Sequence, residues 1–211
     1  MTAPDKTEPI FLESVKAKDG VYFNLELHEK RIYRSFGSLG RKPDFSLSKI
    51  LPEPPSRGLF KARVLYPADP PRTTIEPYGF PRLDSLALME DDGMEYPLKF
   101  LDRSRIRRLK ESCPASDFIL CVKGFVTDSS IANLVFENGD GLFTPATFLL
   151  PGTKREFLLR RGVAREAEIR KEDLKNYSKA YFINAMIDIE DDVSVPLRPP
   201  FFRENGKGAA S

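Results

Sequence analysis

An acidic residue stands among hydroxyl groups in the segment Thr127-Asp128-Ser129-Ser130. Residues 118–122 and 131–136, on either side, are apolar enough to form buried strands. A carboxylate between buried strands needs a partner, because burying an unpaired charge is costly. Asp and Ser are also ordinary turn residues. The residue types therefore leave two interpretations open, a functional acid and a simple turn.

A second segment combines a glycine with the start of a helix, in the sequence Leu150-Pro151-Gly152-Thr153-Lys154-Arg155-Glu156. Thr153 and Glu156 have the spacing of a capping box, and Gly162 can end the helix. A glycine directly before a helix lets backbone N–H groups approach an anion closely. The segment predicts a phosphate site at this helix start, although a well-capped helix without a ligand would have the same sequence.

Other chemistry is weakly indicated. The run of basic residues from Arg103 to Lys110 lies on a predicted helix over residues 102–112, and without interleaved aromatic residues it favours a solvated helix face over nucleic-acid binding. The one histidine, His28, lies on the apolar face of another predicted helix and is interpreted as a core residue. Cys113 and Cys121 lack metal-site spacing, so we predict no metal and two reduced thiols.

Composition limits the function classes further. The 211 residues are 41% hydrophobic and carry a formal net charge of +2, which favours neither nucleic acid nor a membrane surface as partner. No apolar stretch has the length of a membrane span, and the start MTAPDKTEPI lacks the pattern of an export signal. We therefore predict a cytoplasmic protein.

The order of predicted elements indicates two α/β parts. A hairpin around Lys18-Asp19-Gly20 precedes a helix that Asn24 can cap and that runs to about Phe36. A strand follows at residues 59–66, and Gly79 and Pro81 interrupt the pattern. We predict a small N-terminal domain over residues 1–80 and a C-terminal domain over residues 81–211. The last part, about 203–211, is predicted to be a disordered tail.

Four motifs in this order resemble one family of enzymes. They are PLKF at 97–100, GFVTDSSIAN at 124–133, LPGTKR at 150–155 and FINAMID at 182–188, and residues 11–35 also match the family's opening strand, hairpin and helix. The chain thereby resembles the class IV, fold-type IV pyridoxal-phosphate enzymes, which include aminotransferases and aminodeoxychorismate lyase. The resemblance implies an α/β fold of a small N-terminal and a larger C-terminal domain with the cofactor between them.

The resemblance also implies roles for individual residues. Lys99 matches the family's Schiff-base lysine, and Asp128 matches its partner of the pyridine nitrogen, where the family usually has Glu. Arg31 and the backbone N–H groups of Thr153 and Lys154 would hold the phosphate. Ser129, Ser130 and Asn184 match neighbouring pocket positions.

The implied protein is a homodimer that acts on a small amino substrate, either as an aminotransferase or as a lyase releasing pyruvate. The chain starts near the first motif, from which we expect a more open substrate side. Two alternatives stay open: a noncatalytic homologue that binds the cofactor or a protein partner, and a nucleic-acid module built on the basic helix. Retention of Lys99 argues against the first, because a lysine at a buried strand end is costly to desolvate.

Overall fold

A computed structural model describes residues 8–197 and 202–203. Within these residues the fold is mixed α/β, as predicted, and the strands form three sheets. The chain forms two compact units: the first contains the described residues up to Pro77 together with Leu98–Arg103, and the second contains Tyr78–Pro97 and the described residues from Ser104 onward. Residues 98–103 therefore group with the first unit, and the domain boundary near residue 80 stays a prediction. The predicted disordered tail lies largely outside the described residues.

In the described residues, the first unit contains a four-stranded antiparallel sheet, one long helix and one short helix. Its elements are β1 (Phe11–Lys18), β2 (Val21–Tyr22), α1 (Leu25–Ser38), α2 (Leu47–Ile50), β3 (Leu59–Tyr66) and β4 (Arg72–Pro77), with the strand order β2-β1-β3-β4. Because side chains alternate along a strand, Phe11 and Val15 of β1 face the core. They pack there with Ile32 and Phe36 of α1.

The second unit contains two sheets and two α-helices. Its elements are β5 (Leu86–Glu90), α3 (Ser104–Ser112), β6 (Asp117–Val122), β7 (Phe125–Val126), β8 (Asn133–Asn138), β9 (Gly141–Pro145), α4 (Thr153–Arg160), β10 (Arg165–Ala167), β11 (Lys179–Ile183), β12 (Ser194–Pro196) and β13 (Phe202–Arg203). One sheet has the order β10-β9-β8-β11-β12 and the other β13-β5-β6-β7. Short 3₁₀ helices span Lys171–Asn176 and Ile189–Asp191.

Several local predictions were wrong in detail. Asn24 holds the N-cap position of α1, but its backbone angles are left-handed and its side chain makes no capping hydrogen bond. The helix predicted over residues 102–112 begins at Ser104, as α3. The predicted capping box of Thr153 and Glu156 does not form, because Gly152 is the N-cap and Thr153 is already helical. Residues 96–100 form no strand beyond a single bridge of Phe100 with Phe11. The segment is held by that bridge and by aromatic packing rather than by a ladder.

The described residues contain neither a membrane-spanning helix nor a cluster of metal-ligating side chains. Within residues 8–197 and 202–203, no helix is both long and apolar enough to cross a bilayer. In the same part of the chain, no cluster of three or more His, Cys, Asp or Glu side chains is arranged to hold a metal ion.

Candidate active site

Lys99 is held against the edge of β1 in the first unit. Its carbonyl oxygen accepts a hydrogen bond from the Leu12 N–H at 2.9 Å, and the neighbouring Phe100 ring lies 5.3 Å from the Phe11 ring, centroid to centroid. The Lys99 side chain is partly buried. Loss of solvation, and next the positive charge of Arg31, lower the pKa of Lys99 to about 7, against a smaller opposing effect of Glu13. About half of the Lys99 side chains therefore carry a free amine at neutral pH.

A buried acid organises the side chains near Arg31. Glu13 accepts hydrogen bonds from Arg31 Nε to Oε1 at 2.8 Å and from Arg31 Nη2 to Oε2 at 2.5 Å. His28 Nδ1 lies 2.6 Å from Glu13 Oε2, and since a carboxylate only accepts, the ring donates from this nitrogen. Burial alone raises the pKa of Glu13, but the Arg31 charge and the hydrogen bonds from Arg31 and His28 outweigh it and lower that pKa to about 2.

The environment of Arg31 differs from what its sequence position suggests. An arginine beside an apolar helix stripe is usually solvated, yet Arg31 is buried. Two of its three nitrogens bind Glu13 in a bidentate pair, which fixes the plane of the guanidinium. His28 lies in the core as predicted, and burial lowers its pKa, so the ring is neutral at pH 7.

Asp128 is buried in the second unit and tied down by three donors. Its Oδ1 accepts from Asn133 Nδ2 at 2.8 Å, and its Oδ2 accepts from the backbone N–H groups of Leu149 at 3.2 Å and Leu150 at 3.0 Å. Burial raises the pKa of Asp128 to about 6 despite these bonds. The carboxylate offers about four acceptor positions, so the three donors leave Oδ1 able to accept one more.

The segment after Asp128 forms a turn, as one of the two interpretations predicted, while a functional role of the acid stays a prediction. Asp128 pairs with Asn133 across its base, and the Ser129 hydroxyl accepts from the N–H groups of Ile131 at 3.2 Å and Ala132 at 3.0 Å. The N–H of Ser130 donates to Asp117 Oδ1 at 3.3 Å. The segment is thus a turn that also carries a buried acid.

Asn184 joins a second turn to the first. It follows β11, its Nδ2 donates to the Ile131 carbonyl at 3.2 Å, and its Oδ1 accepts from the Met186 N–H at 2.8 Å. The predicted pocket residues Ser129, Ser130 and Asn184 therefore belong to one connected set of turns. The Ser129 hydroxyl and the Asn184 amide hold backbone groups within that set.

The start of α4 is the predicted phosphate site. Thr153 and Lys154 are buried there, and their N–H groups belong to the first turn, which has no acceptors inside the helix. The Lys154 ammonium forms an ion pair with Asp188 and lies 5.0 Å from the centroid of the Phe157 ring. The Lys154 side chain is thus committed within the unit, and the backbone is the part that can face an anion.

The structure places the predicted site residues in two groups. Arg31 and Lys99 lie in the first unit, and Asp128, Ser129, Ser130, Thr153, Lys154 and Asn184 lie in the second. Sequence reasoning missed two residues at the centres of these groups, Glu13 and Asn133. Glu13 could have been found from the alternation of β1, which puts it on the core face with Phe11 and Val15.

Comparisons with known proteins show which family the chain is similar to. The profile of the family Amino-transferase class IV matches residues 99–190. An uncharacterized protein of Haemophilus influenzae is 36% identical over 186 residues, which are 84% of this chain and 97% of that protein.

Solved structures have the same fold. A candidate 4-amino-4-deoxychorismate lyase from Haemophilus somnus superposes with a TM-score of 0.78 at 27% identity, over 86% of this chain and 98% of that one. A candidate amino-acid aminotransferase from Mesorhizobium loti gives a TM-score of 0.71 at 20% identity, over 94% and 100% of the two chains. With the expected motifs in order and these matches along most of its length, the chain belongs to the class IV aminotransferase family.

Proposed function

We propose that the protein is a pyridoxal-phosphate enzyme that acts on an amino acid or another small amino compound. Its reaction is that of an aminotransferase or of a lyase similar to 4-amino-4-deoxychorismate lyase. The observation that carries the proposal is the Lys99 amine, whose pKa of about 7 leaves a nucleophile available at neutral pH in a chain of this family.

The residues present fit the cofactor at three points. The Lys99 amine would hold the cofactor aldehyde covalently. The Asp128 carboxylate retains acceptor capacity on Oδ1 and would bind the ring nitrogen. The first N–H groups of α4 would bind the phosphate.

Arg31 is the fourth proposed contact, and Glu13 defines how it can act. The bidentate pair with Glu13 holds the guanidinium in one orientation and offsets part of its charge. Arg31 would therefore orient the phosphate. Its pair with Glu13 would give it less net positive charge than an arginine without an acidic partner. His28 supports this arrangement through Glu13 Oε2, the same oxygen that accepts from Arg31 Nη2.

The chemistry follows from the protonation states. Bound pyridoxal phosphate supplies a conjugated pyridinium ring that withdraws electrons from the substrate Cα. Asp128, ionised above a pKa of about 6, would keep a proton on the ring nitrogen at pH 7. The Lys99 amine would accept the proton from the substrate Cα on Nζ and hold it there as an ammonium. These steps are common to transamination and lyase chemistry, so the residues do not distinguish between the two reactions.

The test is absorption spectroscopy of the purified protein with pyridoxal phosphate, followed by borohydride reduction and peptide mass analysis. The wild type should develop a visible band and carry the label on Lys99. Lys99→Ala should lose both, whereas Lys18→Ala, an exposed control, should keep both. A wild-type protein that binds the cofactor with the label on another lysine would refute the assignment.

Addition of amino substrates then separates a catalyst from a noncatalytic cofactor-binding homologue. A catalyst should change the spectrum and release a keto acid, with pyruvate as the product of a lyase. A stable spectrum with every amino compound tried would favour the noncatalytic homologue. A homodimer and a cytoplasmic location also remain predictions, and light scattering and cell fractionation would test them.

A further inference from the structure

One amide side chain links the two features of the second unit that the proposed function uses. Asn133 Nδ2 donates to Asp128 Oδ1 at 2.8 Å and also to the Leu150 carbonyl at 2.9 Å. Leu150 lies two residues before the N-cap Gly152 of α4. The acid and the helix start therefore share a single hydrogen-bonding partner.

Gly152 forms the other end of this link. Its φ of −71° and ψ of 142° suit any residue, so the backbone conformation does not require glycine. A Cβ at this position would instead lie 1.9 Å from Asn133 Oδ1 and 3.1 Å from its Cγ, which no structure tolerates without movement. Apart from Asn133, the nearest neighbour is Arg155 Cβ at 3.9 Å, an ordinary contact. The glycine is thus required by the Asn133 side chain.

The loop between acid and helix is held from both sides. Asp128 Oδ2 binds the N–H groups of Leu149 and Leu150, Asn133 binds the Leu150 carbonyl, and its Oδ1 packs on Gly152. Asn133 itself is 6% exposed at the start of β8, so its position is fixed by the sheet. Moving the amide must disturb the carboxylate and the first turn of α4 together.

We propose that Asn133 is a positioning residue that holds the Asp128 carboxylate and the N-terminus of α4 at a fixed distance and orientation. Gly152 leaves the space into which the Asn133 amide packs. The proposal rests on the proposed function for its purpose, which is to match the spacing between the ring nitrogen and the phosphate of one cofactor. Asn133 need not touch the cofactor itself.

The first test is a double-mutant cycle on the protein without cofactor. Gly152→Ala should destabilise the wild type in urea unfolding, because the new methyl displaces the amide. In an Asn133→Ala background the same change should have little effect, because the space is then vacant. Gly139→Ala is the matched control, since this exposed glycine has no atom within 4 Å of the added Cβ. An equal loss from Gly152→Ala in both backgrounds would overturn the link.

The second test separates positioning from stability. The probe is 4′-deoxypyridoxine 5′-phosphate, which has no aldehyde and binds without a covalent bond. Its ultraviolet spectrum reports protonation of the ring nitrogen, which Asp128 should favour in the wild type. Asn133→Ala and Gly152→Ala should each lower the midpoint pH of this titration by about one unit, because the carboxylate moves away. The Gly139→Ala control should leave it unchanged.

The outcomes distinguish the two proposals. Reduced stability with an unchanged titration midpoint in both variants would show that Asn133 is structural only, and would leave the proposed function standing. A wild type that does not bind the probe would refute the proposed function, and the positioning role would fall with it. The unfolding cycle would still decide whether Asn133 and Gly152 are coupled.

Discussion

The reactivity of Lys99 should depend on pH in a way that an ordinary lysine does not. Burial and the nearby Arg31 lower its pKa from 10.5 to about 7. At pH 7 about half of the Lys99 amines are then free, against about one in 3,000 for a lysine that keeps the ordinary value. The environment of Lys99 thus raises the fraction of nucleophile by about a thousandfold at neutral pH.

Competitive acetylation of the protein without cofactor would measure this directly. Trace acetic anhydride is added across pH 5 to 11, and the acetylation of the Lys99 peptide is compared by mass spectrometry with that of Nα-acetyl-lysine amide in the same solution. The Lys99 profile should have its midpoint near pH 7, whereas the free compound should follow the ordinary lysine value. The midpoint depends on the ionisation and not on the intrinsic reactivity of the amine.

Two charge variants should move this midpoint in opposite directions. Arg63→Gln removes a positive charge that lowers the pKa of Lys99, so the midpoint should rise. Glu13→Gln removes a negative charge that raises the pKa, so the midpoint should fall. Each shift should be up to about one unit. Arg63 is only partly buried in β3, which makes its variant the one less disturbing to the fold.

A midpoint above pH 9 in the wild type would refute the reasoning, because burial and Arg31 would then have too little effect to supply a free amine. Shifts of the same sign in Arg63→Gln and Glu13→Gln would also refute it. Such a result would mean that the variants act by rearranging the site rather than through their charge. Circular dichroism of each variant at pH 7 would show whether its fold is retained.

Three further predictions concern the other buried groups. Because folding raises the pKa of Asp128 from 3.8 to about 6, wild-type stability should fall relative to Asp128→Asn by about 2 kcal/mol as pH rises from 4 to 6 in urea unfolding; a constant difference would contradict this. Glu13→Ala should cost about 3–5 kcal/mol at pH 7 because it removes the acid of a buried, bidentate ion pair with Arg31, and a loss below 1 kcal/mol would contradict that. Iodoacetamide should label partly exposed Cys113 in the native protein but buried Cys121, whose pKa is about 12, only after unfolding; native labelling of Cys121 would contradict this.

Local patterns predicted most elements because local forces decide them. The apolar spacing of α1 and the alternation of β3 bury one face, and the turn at Asp19-Gly20 needs the positive φ found at both residues. The elements whose prediction was wrong depend on contacts between residues that are far apart in the sequence. The helix cap at Gly152 is an example, since Thr153 offered the better local cap and the structure uses the glycine against Asn133.

The sequence reveals candidate site residues in both groups, but not the interactions that these residues make in the fold. Lys99, Asp128 and Arg31 were assigned through ordered motifs, but motifs name residues without naming the partners that set their charge. Glu13 comes from the opening strand and Arg31 from a helix 18 residues later, and only folding brings them to a bidentate pair. The pKa of Lys99 depends on both, so a property central to the proposed chemistry arises from residues that no single segment contains.

Asp128 stands where the resemblance implies a glutamate, and its contacts determine how the carboxylate is held. Its shorter arm is anchored by two backbone N–H groups and one amide, so its direction is set by the loop before α4 rather than by its own length. A glutamate here would have to enter the same buried space with one more methylene, which overpacks a well-filled site. Asp128→Glu should therefore disturb Asn133 and the start of α4, and a bound ring would lose its acid partner even though the charge is kept.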